Sequence, residues 1–196
     1  MLSYISLAIG AIFVSNVVLG QFLGICPFLG VSKKRSQAFG MGVAVICVVF
    51  LSSLITYGVY HLVLDPLKIT YMNNVVFILI IASLVQFTEL LVKKYFPTLY
   101  KEFGVYLPLI TTNCVVLGVA LNNIYLEYNF LQMIVYSLSI SVGYMMVMFI
   151  FSAIREQLEK APVPKAFKGV PIALICAAFM ALAFTGFSGI VWWAIL

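Results

Sequence analysis

The charged residues of this chain are so unevenly spaced that six stretches of twenty or more residues contain none. They are 1–32, 36–64, 69–88, 103–126, 128–154 and 169–196. A bilayer core about 30 Å thick is crossed by roughly 20 apolar residues in helical form, so each stretch is long enough for one span. Charged residues make up 9% of the chain, against about 25% in a soluble domain. So few charges cannot cover a water-facing surface. A β-barrel needs short alternating segments, whereas these runs are continuous, and a helix satisfies its own backbone in lipid. The N-terminus lacks a basic leader, and its apolar stretch exceeds that of a cleavable signal peptide, so it reads as the first span. The sequence predicts an all-α polytopic membrane protein with six transmembrane helices in a single membrane domain, 1–196.

Lys and Arg fix the expected orientation. The odd-numbered connections carry Lys33, Lys34, Arg35, Lys93, Lys94, Lys101, Arg155, Lys160, Lys165 and Lys168, and the even-numbered ones only Lys68. The positive-inside rule puts the odd connections in the cytoplasm and both termini outside. This asymmetry accounts for the net charge of +5. No basic run is interleaved with stacking aromatics, so no nucleic-acid partner is expected.

The segment Cys26-Pro27-Phe28-Leu29-Gly30-Val31 shares the pattern C-x-x-L-G-V with Cys114-Val115-Val116-Leu117-Gly118-Val119, 88 residues on. A weaker echo links Phe87-Thr88 to Phe184-Thr185. Two halves of about 1–98 and 99–196, with three spans each, must run through the membrane in opposite directions. That is an inverted-topology repeat, whose sites are expected at broken helices near the midplane. Span 1 carries Gly20, Gly24, Pro27 and Gly30, and span 4 carries Gly104, Pro108 and Gly118. The sequence thus predicts helices 1 and 4 broken near Cys26 and Cys114. The residue before a proline avoids helical geometry, which places Cys26 on non-helical backbone. Broken backbone at membrane depth is tolerated when buried in protein or lining a cavity, so both cysteines belong to the interior.

Two cysteines fall short of the four ligands usual for zinc or an iron–sulfur cluster. Cys47 and Cys176 stand inside apolar spans with no Gly or Pro beside them and read as small packing residues. The repeat alone leaves two readings open for Cys26 and Cys114. They pack at tight helix breaks, or they bind metal, most simply in a cluster shared with another subunit. A disulfide is disfavoured, since nothing resembles a secreted disulfide framework.

Phe22-Leu23-Gly24-Ile25-Cys26-Pro27-Phe28-Leu29-Gly30-Val31-Ser32-Lys33-Lys34 and Leu107-Pro108-Leu109-Ile110-Thr111-Thr112-Asn113-Cys114 resemble the two motifs of the RnfA family, membrane subunits of the Rnf ion-translocating ferredoxin:NAD oxidoreductase. Val85-Gln86-Phe87-Thr88-Glu89 and Phe184-Thr185-Gly186-Phe187-Ser188-Gly189 extend the match over essentially the whole chain. The related RnfE and NADH:quinone reductase D/E subunits share the architecture, and Pro27 and Thr112 favour the A-type Rnf member. The resemblance implies a pseudo-symmetric heterodimer with an RnfE-like subunit, in which Cys26 and Cys114 supply half the ligands of an intramembrane [2Fe–2S] cluster. It also implies RnfB-, RnfC-, RnfD- and RnfG-like partners in a prokaryotic cytoplasmic membrane, electron flow coupled to Na⁺ or H⁺ movement, and no catalysis by this chain alone. Gly24, Ile25, Asn113 and Gly118 are the expected backbone donors around such a cluster.

Asn16, Asn113 and Glu89 are candidates for an ion path. Interhelical hydrogen bonding is the preferred reading for the two asparagines, and an i,i+4 pair with Lys93 for Glu89. His61 reads as an interfacial residue. No nucleophile–base pair or phosphate loop is visible. The rival readings are a small inverted-repeat secondary transporter without a metal and a purely structural membrane subunit.

Overall fold

The computed structural model describes residues 2–14, 16–32, 35–64, 73–95, 113–160, 162, 164 and 167–195. Every regular element among them is helical. In chain order they are α1 (Leu2–Ile9) with a π-helical extension (Gly10–Val14), α2 (Val17–Gly20) and α3 (Ile25–Val31). Then come α4 (Arg35–Val59) with a second π-helical turn (Tyr60–Leu64), α5 (Asn73–Tyr95), α6 (Cys114–Tyr125), α7 (Phe130–Leu158) and α8 (Val170–Ile195). Two of these, Arg35–Leu62 and Phe130–Leu158, are long and apolar enough to cross a membrane.

The same two helices form the spine. They run antiparallel, with the Tyr57 and Phe130 rings 5.9 Å apart at one end and Arg35 paired to Glu156 at the other. Val45 and Val49 of α4 and Tyr144, Val147, Met148 and Phe151 of α7 are all buried. Where lipid surrounds helices, water-driven burial gives little drive for association, so close packing and interhelical hydrogen bonds carry it. Both helices accordingly bury hydroxyl residues: Ser52, Ser53 and Thr56 on α4, and Ser137, Ser141 and Ser152 on α7. Thr56 and Ser141 return their hydroxyls to the carbonyls of Ser52 and Ser137, one turn back.

The first uncharged run is not one kinked helix. It breaks twice, at Asn16 and over Gln21–Gly24. At the first break Asn16 caps α2: its Oδ1 accepts from Val18 N–H (3.1 Å), while its Nδ2 donates to the carbonyls of Ile12 and, across to α7, Gly143. An asparagine that satisfies a helix start and bonds a second helix leaves no free polar group in the apolar layer. The π-helical turn before it lies against α7 and α8.

Gly143 permits that approach. A Cβ there would lie 3.0 Å from the Ile12 carbonyl oxygen and 3.2 Å from its Cα. Backbone cannot swing away as a side chain can, so Gly143→Val is expected to cost about 1–3 kcal/mol through overpacking. Thermal unfolding of the purified protein in detergent measures this. An unchanged midpoint would show that α1 is not held against α7 as described.

One expectation needs correction. Cys26, expected on non-helical backbone before Pro27, is the second residue of α3. Proline is tolerated in a first helical turn, because the N–H it lacks would have had no intrahelical partner. The first helical bond of α3 runs from Phe28 N–H to the Gly24 carbonyl, just past Pro27. The backbone break expected near Cys26 is present, in the preceding turn. For span 4, the stretch before Asn113, including Pro108, Thr111 and Thr112, lies outside the described residues.

Candidate metal centre

Two chain segments 90 residues apart meet at a turn and a helix start. Gly24 adopts a left-handed conformation (φ 79°), and its N–H donates to the Cys114 Sγ at 2.9 Å. The turn is tightly enclosed. A Cβ on Gly24 would lie 2.6 Å from Val115 Cγ2, 2.8 Å from Tyr144 Cε2 and 3.4 Å from Asn113 Oδ1. Glycine is therefore required twice, once for its φ and once for its missing side chain.

Cys114 is the first residue of α6, and Asn113 caps that helix, its Oδ1 accepting from Val115 N–H at 3.1 Å. Cys26 lies in the first turn of α3, whose cap is Gly24. Both sulfurs thus sit at helix starts. Cys114 is half-buried; Cys26, expected in the interior, is instead exposed on the single chain, because the first turn of α3 lies at its surface. Tyr144, fully buried beneath the turn, lies within electrostatic reach of both sulfurs. The Tyr144 hydroxyl and the Asn113 Nδ2 are both buried without a hydrogen-bond partner among the described residues.

Of the other predicted residues, Ile25 opens α3. Gly118 lies inside α6, where its N–H belongs to the helical ladder and its bare Cα receives the Leu23 side chain. Asn16 is at the other break, fully engaged as cap and interhelical bond. Glu89 lies on α5, its side chain outside the described part of the structure. Cys47 is exposed on α4 and Cys176 half-buried on α8. No group of three or more His, Cys, Asp or Glu side chains converges among the described residues. Of the four free cysteines, Cys114 meets the Gly24 turn and Cys26 follows that turn in α3.

The two asparagine caps show a likeness that sequence reading missed. Asn16 has φ −62°, ψ 118° and Asn113 has φ −70°, ψ 114°. After them the chain reads Val17-Val18-Leu19-Gly20 and, one residue later, Val115-Val116-Leu117-Gly118. In this register the asparagines correspond, and Cys26 lies one short helix further along than Cys114. The signal was available as Asn-Val-Val-Leu-Gly against Asn-Cys-Val-Val-Leu-Gly.

A second polar feature was also missed. His61, read as interfacial, lines a cavity of about 250 Å³ with Tyr57, Tyr60, Asn123, Glu127 and Tyr128. Partial burial pushes the Tyr128 hydroxyl above its ordinary pKa.

A family model described as "Rnf-Nqr subunit, membrane protein" matches residues 4–191. The A subunit of the Na(+)-translocating ferredoxin:NAD(+) oxidoreductase complex of Acetobacterium woodii is 55% identical over 96% of this chain and 98% of its own length. The A subunit of the ion-translocating oxidoreductase complex of Edwardsiella ictaluri is 52% identical over 97% and 99%. Its namesake from Cronobacter sakazakii is 51% identical over the same shares.

Proposed function

The chain belongs to the Rnf-Nqr family of membrane subunits, and from that premise we propose that it is the electron-transferring A-type subunit of an Rnf complex, holding half of an intramembrane [2Fe–2S] cluster through Cys26 and Cys114. It works within an ion-translocating oxidoreductase complex, coupling electron transport to ion translocation, and is not catalytic alone. An RnfE-like subunit supplies the other two thiolates. RnfB-, RnfC-, RnfD- and RnfG-like subunits complete the complex in the prokaryotic cytoplasmic membrane. Six spans in two inverted halves, with both termini outside, complete the reading. Na⁺ and H⁺ are both compatible with it as the coupling ion.

The observation that carries the proposal is the Gly24 N–H donating to the Cys114 Sγ. It brings the two cysteine motifs to one place and aims a backbone dipole at a sulfur, the means by which proteins orient thiolate ligands and tune what they hold. The donor set fits: two thiols at helix starts, one of them exposed where a second subunit can reach it. The described residues fit a whole site poorly and half a site well. When bound, a [2Fe–2S] cluster supplies a one-electron carrier within the apolar layer. The chain's own residues hold the two sulfurs, shield one flank with Tyr144 and Val115, and leave the Cys26 flank open.

The test is the low-temperature EPR spectrum of the reduced, purified complex, set against the same complex carrying Cys114→Ser. A [2Fe–2S] signal present in the first and missing from the second supports the proposal. Identical spectra from fully assembled complexes would overturn it and favour a transporter without a metal, to be pursued by ion-binding measurements.

A further inference from the structure

Arg155 is 9% exposed. Its Nη1 donates to the Leu29 carbonyl at 2.6 Å and to Ser32 Oγ at 2.9 Å. Leu29 lies in the last turn of α3, where carbonyls lack intrahelical partners. Arg155 therefore caps the helix that carries Cys26. The stacked rings of Phe28 and Phe151, 4.0 Å apart, fasten the same two helices one turn away.

A neutral donor would satisfy that carbonyl equally well. Burying a guanidinium is costly unless it is paired, yet among the described residues no salt bridge reaches Arg155. The adjacent Glu156 is taken by Arg35 at 2.6 Å. The partners of Arg155 are a carbonyl and a hydroxyl, so its charge remains uncompensated by them. Cys26 precedes Leu29 by three residues, a rise of about 4.5 Å along the helix. The positive charge thus stands at the end of α3 roughly one turn beyond the sulfur, in a medium that screens it poorly.

We infer that Arg155 is a positioning residue for the redox site: it fixes α3, and its charge favours the reduced, more negative state of the group held by Cys26 and Cys114. This rests on the cluster reading above. The experiment is an EPR-monitored redox titration of the whole complex, with the signal isolated by subtracting the spectrum of the Cys114→Ser complex. Arg155→Lys, Arg155→Met and Ser32→Ala are compared with the unmodified protein. The expected result is a negative shift of the midpoint potential in Arg155→Met at full signal intensity. Arg155→Lys and Ser32→Ala, which keep a positive charge, stay close to the unmodified value. Signal lost in Arg155→Met but kept in Arg155→Lys supports the positioning role, since Lys keeps both the charge and a donor for the Leu29 carbonyl and Met keeps neither. An unshifted midpoint in Arg155→Met, or signal lost from both variants in assembled complexes, would overturn it. Absence of the signal from the unmodified complex would sink the cluster reading itself, a pattern that none of the variant outcomes shares.

Discussion

On the proposed cluster reading, serine at Cys26, or at Cys114, is expected to reduce electron transfer by the assembled complex to background, and to remove one [2Fe–2S] equivalent of iron and acid-labile sulfide. The substitutions are close to isosteric. At position 114 a hydroxyl oxygen still accepts the Gly24 N–H, so the turn keeps its partner and α6 keeps its cap, which comes from Asn113. At position 26 the side chain is exposed, so the slightly smaller hydroxyl meets no steric obstacle within the chain. Subunit abundance and assembly should therefore be unchanged while the electron carrier is lost. Activity retained with either serine, in complexes that contain the full set of subunits, would end the claim that these sulfurs carry electrons. Partial loss together with partial assembly would mean that the cysteines serve packing instead.

Gly24→Val should be the most damaging change that leaves both thiols in place. A β-branched residue in left-handed backbone costs about 1–2 kcal/mol. Its Cβ would strike Val115 and Tyr144, both buried and unable to move aside, which adds about 1–3 kcal/mol of overpacking. The turn can escape only by rotating, and rotation withdraws the N–H from Cys114 Sγ. Thermal unfolding in detergent should show the lost stability, and the iron content of the complex should fall with it. Gly24→Ala should show the same pattern to a smaller degree. A complex with Gly24→Val that keeps its full iron and its unfolding midpoint would contradict the enclosed geometry of the turn.

The long helices α4 and α7 were legible because their only requirement is a long run without charge. The runs 36–64 and 128–154 anticipate Arg35–Val59 with its π-helical turn and Phe130–Leu158 closely. The first span was read less well. Its interruption was expected from Gly20, Gly24 and Pro27, but Pro27 fits inside a first turn, and the earlier break depends on Asn16. An asparagine in an apolar run signals interhelical bonding, which occurs here. That its other amide atom also starts a helix is decided by local backbone geometry that the residue type does not specify. The meeting of the two cysteine motifs was foreshadowed by their shared pattern. The donor from Gly24 to Cys114 was beyond reach, because it depends on how a turn in one half docks on a helix of the other. Arg155 was counted only as a cytoplasmic charge, since a sequence gives no sign that a guanidinium at a span's end turns inward rather than to water.

The bond between Gly24 and Cys114 also dictates an order of events in biosynthesis. Its donor is translated 90 residues before its acceptor. At about 5–20 residues per second, the turn waits several seconds at the ribosome before the sulfur it faces exists. On the proposed cluster reading, the two cysteine motifs of the half-site come together only once the segment carrying Cys114 has been made and inserted. On the proposed reading maturation follows insertion, and a chain truncated before Cys114 would carry Cys26 without the sulfur that the Gly24 turn faces.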